Sequence, residues 1–423
     1  MGSDGRMGRR PVLAALAAAA AARLPAGSAS GSASTNVAGP ARGAAAEQDT
    51  PPPLPFLSPG NFEGTPSYTL SNGRLAVTFL QVGASLASVV LADDPAQLNP
   101  LWNAVELNRQ RGRANVGPST TTGHLVCVDG FGTPSPEESK AGMLMHGEAH
   151  LRPYEVSTRR NGAVTEATLT TTLPIVQERF TRVLRMADAE NVVYVESTLE
   201  SQLGFDRPIT WVEHATVGPP FVEPGVTVFD LSGTRAKSNA YADSPGSPAP
   251  KRRLASDREF TWPMAPGVDG GTIDVRQVPE AQPEAEFTTV LMDPGPLAWA
   301  TALNPQRQLI LGYMMRRADY PWMLNWGQYS TPGRPVRGME FGVTLSGRRR
   351  SVETGSLFGA PTYRWLPANG SLTTRFLMFH ARVPAGLTKI DEVRMENGEI
   401  LIVDRKSGRQ LRLKASLNNL YTA

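Results

Sequence analysis

Three stretches of this 423-residue chain concentrate histidine, acid, glycine and aromatic residues where a plain strand would need none of them. The first runs from Gly123 and His124 through Asp129, Gly130, Phe131 and Gly132 to Met145-His146-Gly147-Glu148-Ala149-His150, and reads as a long loop over a site. The second, Trp211-Val212-Glu213-His214-Ala215-Thr216-Val217 followed by Gly218-Pro219-Pro220-Phe221, reads as a strand end passing into a Pro-rich turn. The third, Arg337-Gly338-Met339-Glu340-Phe341-Gly342, embeds an acid in an otherwise apolar strand. Burial and neighbours move the proton affinities of histidine and glutamate toward neutral pH, so such a set suits general acid-base chemistry. Singly, each residue also has a plain reading. His214 reads as a strand-end histidine with its bonds satisfied, His146 as a loop-fixing one, and Glu340 as a strand residue paired with the nearby Arg337. His124 and His150 read as stabilising the loop, and His380 as part of a C-terminal strand.

Other chemistries find little material. Cys127 is the sole cysteine, which excludes an intramolecular disulfide and a zinc site built from thiolates. His146 and His150 stand four apart, as two ligands on one helix face would, but Gly142 and Gly147 argue against a helix there. No metal and no cofactor is expected. The 42 basic and 39 acidic residues are spread along the chain, so the formal charge of +3 marks no patch for nucleic acid. The short runs Arg348-Arg349-Arg350 and Lys251-Arg252-Arg253 read as solvated turns.

The elements that must bring the three stretches together are strands. The 40 glycines and 36 prolines imply many turns and few long helices, while 40% hydrophobic residues suffice for a sizeable core. Leu75, Val77 and Phe79 alternate with Ala76 and Thr78 directly after Asn72-Gly73, the pattern of a strand leaving a hairpin. Residues 84–91, 163–173, 180–186 and 192–199 continue as a meander. Further short runs follow at 226–231, 287–291, 309–314, 339–345, 373–381 and 400–403. Many short strands separated by turns predict an all-β sandwich or barrel, and 391–413 predicts a terminal hairpin packed on the sheet.

The N-terminus reads as an address. Arg6, Arg9 and Arg10 precede the apolar run Pro11 to Ala22, and the small residues Ala26-Gly27-Ser28-Ala29 suit cleavage, the order of a secretory signal over residues 1–30. Arg9-Arg10 resembles a twin-arginine signal. The run falls short of the roughly 20 apolar residues of a spanning helix, so no integral membrane segment is expected in the mature chain. Residues 31–55, rich in Ala, Gly, Ser and Pro, read as a disordered linker, and 56–423 as the folded body. The expected location is periplasmic or secreted.

The body resembles the galactose mutarotase-like superfamily, that of the aldose 1-epimerases, from about Asn61 to Ala385. Gly83-Ala84-Ser85-Leu86 and Asn99-Pro100-Leu101-Trp102 are similar to its first strands, and Met145-His146-Gly147 to its His-Gly motif. Glu213-His214-Ala215-Thr216 resembles the segment of its second histidine, and Arg337-Gly338-Met339-Glu340 the segment of its glutamate. The Glu137-Glu138-Ser139-Lys140 insertion and the Pro219-Pro220-Phe221 turn depart from the best-known mutarotases. The resemblance implies a large antiparallel β-sandwich and anomer interconversion of a small-molecule sugar. In that scheme Glu340 is the base, His214 the acid, and His146 the partner of the ring oxygen or C1 side. Asp129 would bond a sugar hydroxyl, and Trp211, Trp322, Trp326 and Phe131 are stacking candidates. Two other functions fit the same architecture: a non-catalytic sugar-binding protein, and a polysaccharide lyase using Tyr313 or Tyr329.

Overall fold

Asn72-Gly73 does form a turn, and it does more than reverse the chain. Asn72 Oδ1 accepts from the Arg74 and Leu75 amides, while Nδ2 donates to the carbonyls of Ala187 and Glu190 at 2.6 and 2.8 Å. One hairpin end is thereby bonded to another from a different sheet. The structure, a computed structural model, describes residues 50–51, 53–103, 122–240, 252–280, 285–330, 334–417 and 420. The expected signal and most of the expected linker lie outside the described residues. The linker's last residues are packed: Leu54 bridges Leu57, and the Pro55 carbonyl accepts from Thr158 Oγ1 at 2.7 Å.

The expected antiparallel β-sandwich is observed. A 12-stranded sheet runs in the order Ser58–Phe62, Thr65–Ser71, Leu75–Leu80, Leu86–Leu91, His124–Val128, Trp211–Val217, Val336–Gly338, Trp322–Gln328, Glu286–Met292, Gly233–Ser238 and Glu259–Thr261. Glu340–Gly342 continues beside Val336–Gly338, between the same two neighbours. The opposing 8-stranded sheet runs Val228–Leu231, Leu297–Asn304, Leu309–Arg316, Ser371–Arg382, Val192–Ser201, Glu178–Ala187, Val164–Leu173 and Glu155–Asn161. Alternation places Leu75, Val77 and Phe79 in the main core, together with Leu169, Phe180, Leu184 and Val195 of the other sheet. Among the described residues no helix is long and apolar enough to cross a membrane.

The C-terminal segment is a three-stranded meander, Glu392–Glu396, Glu399–Asp404 and Arg409–Lys414, where a hairpin was expected. Val393, Ile400, Ile402 and Leu413 pack with Val192, Tyr194, Ile310 and Phe379, so the meander covers part of the outer face of the 8-stranded sheet. The basic runs are only partly solvated: Arg349 and Arg350 are exposed as expected, but Arg348 and Arg253 are half-buried and pair with Asp129 at 3.0 Å and Glu286 at 2.6 Å, because each finds a buried carboxylate that needs a cation.

One charged contact crosses the core. Arg182 in Glu178–Ala187 donates to both carboxylate oxygens of Glu213 in Trp211–Val217, at 2.7 and 2.6 Å, and both side chains are fully buried. Trp211 Nε1 at 3.2 Å, His124 Nε2 at 3.0 Å and the Tyr320 hydroxyl at 3.3 Å complete the shell around Glu213. Burial alone would push Glu213 up, but Arg182 and His124 outweigh it and hold the carboxyl below its usual range. Arg182→Ala leaves that carboxylate buried without its cation. The expected loss is about 3–5 kcal/mol of unfolding free energy, read as a lower urea midpoint.

Candidate functional site

Alternation along Trp211–Val217 sends Glu213 into the core and His214 to the outer face of the 12-stranded sheet. The register is constant through the two short strands beside it, Thr216 facing Gly338 and Val212 facing Gly342, so Glu340 lies across from His214. Leu125 flanks His214 on one side and Leu324 flanks Glu340 on the other. The floor around the pair is apolar, built from Leu125, Cys127, Phe131, Val212 and Leu324 with Phe287 against them.

His214 Nε2 stands 3.3 Å from Glu340 Oε1, with the side chains 13% and 2% exposed. The other ring nitrogen, Nδ1, meets Thr216 Oγ1 at 3.1 Å. Burial pushes Glu340 well above the usual carboxylate value. Burial, then the neighbouring His146, pushes His214 well below the usual imidazole value. Burial thus works against charge on both partners of the 3.3 Å contact. Among the described residues, the buried Glu340 Oε2 has no hydrogen-bond partner. Gly338 explains how the carboxyl reaches this place: a Cβ there would lie 2.4 Å from Glu340 Oε1.

His146 arrives from the loop. Its backbone is left-handed, φ 63°, and no helix forms there; the following turn Ala149–Leu151 is 3-10. Gly147 fixes the approach, since a Cβ on it would meet the Val128 carbonyl oxygen at 2.0 Å. The His146 ring stands edge-on to that of His214, centroids 5.1 Å apart, and 5.8 Å from Phe131. Gly132 N donates to His146 Nδ1 at 3.4 Å, which leaves the proton of a neutral ring on Nε2 as a donor. Burial, then His150, lowers His146 to about 4. The Glu137-Glu138-Ser139-Lys140 insertion is a short helix, Pro136–Lys140, capped by Ser135 and tied to Arg348 through Glu138 at 3.4 Å.

The structure thus brings His146, His214 and Glu340 together, with Phe131 as a wall 5.9 Å from the His214 ring. Trp326 lies half-buried on the same face, two residues along the strand from Leu324. The other stacking and bonding candidates are placed elsewhere. Trp211 shares the inward parity of Glu213 and is fully buried against Phe180. Trp322 is buried under Leu345 and Ala360, its Nε1 donating to the Pro361 carbonyl at 2.8 Å. Asp129 is fully buried and spends its oxygens on Arg207 and Arg348, so it has none to offer a sugar. Tyr313 and Tyr329 are core residues, the latter raised by burial to about 12 and accepting from Arg337 at 2.7 Å, which removes them as elimination groups. His150 is buried beside His146, ring centroids 6.1 Å apart, and His124 belongs to the Glu213 shell. Among the described residues no group of three or more His, Cys, Asp or Glu could hold a metal ion. Reading the sequence missed Thr216 and Gly338; both share the parity of the residue they serve.

Comparison with solved structures supplies an independent reading of the fold. A candidate aldose 1-epimerase from Klebsiella pneumoniae matches with a TM-score of 0.54 at 15% identity, over 77% of this chain and 82% of its own. A galactose mutarotase-like protein from Clostridium acetobutylicum matches with a TM-score of 0.51 at 12% identity, over 77% and 98%. A galactose mutarotase related enzyme from Lactobacillus acidophilus matches with a TM-score of 0.50 at 15% identity, over 78% and 100%. No family model matches the chain, and no curated protein matches it in sequence. At such identities the likeness establishes the fold, which is galactose mutarotase-like.

The dry arrangement makes a spectroscopic prediction. In histidine-labelled protein, the His146 and His150 rings are expected to stay neutral as pH falls past 6.5 and to protonate only at about 4, with His214 well below its usual value. Nitrogen-15 NMR of the ring nitrogens reads this directly. Gly338→Ala is expected to displace the Glu340 carboxyl and shift the His214 Nε2 resonance.

Proposed function

We propose that this chain is an exported protein that binds a reducing sugar over His146, His214 and Glu340 and interconverts its anomers by acid-base ring opening. The observation that carries the reading is the 3.3 Å approach of His214 Nε2 to Glu340 Oε1, with the His146 ring edge-on beside it. The fold it shares with proteins described as mutarotase-related supports a sugar as the ligand. The export part rests on the order of Arg9-Arg10, the apolar run and the small residues after it.

Ring opening removes the proton of the C1 hydroxyl, forms the C1 carbonyl, breaks the bond from C1 to the ring oxygen and returns a proton to that oxygen. Closure on the other face of C1 reverses each transfer. The His214 and Glu340 pair carries one exchangeable proton, resting on the carboxyl. Passing it to His214 Nε2 gives the carboxylate base and imidazolium acid that the reaction uses, at constant proton count. His146, with its proton on Nε2, donates to the ring oxygen or the C1 side. Phe131 and the half-buried Trp326 border the sugar's apolar faces.

A second reading, sugar binding without turnover, is favoured by the burial that works against the charged form of Glu340, since binding needs no base. Polarimetry beside calorimetry distinguishes the two. A catalytic site accelerates the decay of optical rotation of a freshly dissolved aldose, and Glu340→Gln lowers that acceleration by about 10²–10⁴-fold. Binding with unchanged decay supports the second reading and rules out the first. For the catalytic case the rate is expected to be level through neutral pH, with no break near the ordinary imidazole value of 6.5. It falls at the alkaline side, where Glu340 loses the shared proton.

A further inference from the structure

Thr216 stands two residues beyond His214 on the same strand, so the two side chains share the outer face of the sheet. Its backbone is pinned on both sides. The Thr216 amide donates to the Gly123 carbonyl at 3.1 Å, and the Thr216 carbonyl accepts from the Trp102 amide at 2.9 Å. Gly338 faces it across the strand pair, and the space that a side chain would take there holds the Glu340 carboxyl. Thr216 is fully buried and β-branched, with few rotamers open to it, so its hydroxyl has a fixed position.

That position is 3.1 Å from His214 Nδ1, while the opposite ring nitrogen, Nε2, is 3.3 Å from Glu340 Oε1. The imidazole is thus held at both nitrogens, and the two partners differ in what they exchange. A carboxyl gives or takes a proton outright, whereas a threonine hydroxyl donates or accepts hydrogen bonds only. In ring opening, Nε2 takes a proton and passes it to the ring oxygen as the bond from C1 breaks. The imidazolium formed between those steps carries an N–H on both nitrogens, so Nδ1–H needs an acceptor within the buried site. Among the described residues, Thr216 Oγ1 is the hydrogen-bond partner of Nδ1. Burial, then His146 with its ring centre 5.1 Å away, then His124 and His150, works against a charge on His214. Cys127 in the floor is a thiol whose pKa burial raises, which leaves the Glu340 carboxylate as the neighbour that favours the imidazolium.

We propose that Thr216 is the positioning residue of His214: its Oγ1 accepts from Nδ1–H at rest and in the imidazolium, which reserves Nε2 for proton exchange with Glu340 and the sugar. The inference rests on the sugar reading of the His214 and Glu340 pair. The Nδ1 proton stays on the ring throughout, and the moving proton passes between Glu340 Oε1, Nε2 and the ring oxygen. Which nitrogen of a neutral imidazole carries the proton is set by the hydrogen bond that the other nitrogen makes. Without the hydroxyl the proton settles on Nε2, where Glu340 Oε1 accepts it, and Nε2 then has no lone pair to take another.

The test is nitrogen-15 NMR of the ring nitrogens in histidine-labelled protein, with His214 assigned by the signals lost in His214→Gln. At neutral pH the wild type is expected to show a protonated Nδ1 and an unprotonated Nε2. Thr216→Val keeps the shape without the oxygen and is expected to move the proton to Nε2, whereas Thr216→Ser keeps it on Nδ1. Circular dichroism confirms that both variants fold. In polarimetry, the unpaired buried N–H left by Thr216→Val is expected to lower kcat for anomer exchange by about 10–100-fold with KM little changed. Thr216→Ser is expected to restore most of that loss. A wild-type ring protonated on Nε2, a valine variant with the proton still on Nδ1, or a valine variant with wild-type kcat overturns the assignment. If no aldose is turned over, a proton moved by Thr216→Val and kept by Thr216→Ser supports Thr216 as the residue that sets the ring, while the anomer-exchange reading falls.

Discussion

The buried contact between Arg182 and Glu213 is the constraint from which the arrangement of the site follows. A carboxylate in the middle of a sandwich is tolerated only where cations and donors surround it, and Glu213 collects Arg182, His124, Trp211 and Tyr320. Slipping the strand by one residue would turn that carboxylate outward and the next side chain inward. The ion pair therefore fixes the parity of Trp211–Val217, and with it the placement of His214 and Thr216 on the outer face. The same strand carries a structural acid and a candidate functional histidine side by side, on opposite faces.

Around that strand the design is one of close backbone approach. Gly147 brings the loop onto the end of His124–Val128, and Gly338 clears space for the Glu340 carboxyl. The buried ionic group of Asp129, Arg207, Glu178 and Arg348 joins the loop's base to the segment after Glu340. Burial and the nearby Asp129 push Glu178 up, against the pull of Arg207. These contacts hold three side chains from three distant parts of the chain within reach of one another.

Much of this was legible from the residues. Period-two alternation pointed to the strands, and the resemblance to the galactose mutarotase-like superfamily, with its His, His, Glu order, pointed to the three side chains that lie together. What stayed hidden has a common cause. Trp211–Val217 is buried on both faces, so alternation of apolar and polar residues could not say whether Trp211 looks toward a ligand or into the core. Asp129 beside glycine looked like a turn residue with free oxygens, because Arg207 and Arg348 lie 78 and 219 positions away. Tyr313 sits in the apolar run Leu309 to Met315, which is itself a sign of burial, whereas Tyr329, between Gln328 and Ser330, carried none. The C-terminal segment, expected as a hairpin over 391–413, has its third strand in Arg409–Lys414, where Leu411 and Leu413 alternate with basic residues.

The burial of the His146, His214 and Glu340 group has a bearing on how a ligand would arrive. Burial works against charge on all three groups, which weakens the field they project toward solvent and leaves dissolved salt little there to screen. Ionic strength would then leave their encounter with an uncharged sugar unchanged, and capture would depend on fit and desolvation rather than on electrostatic steering.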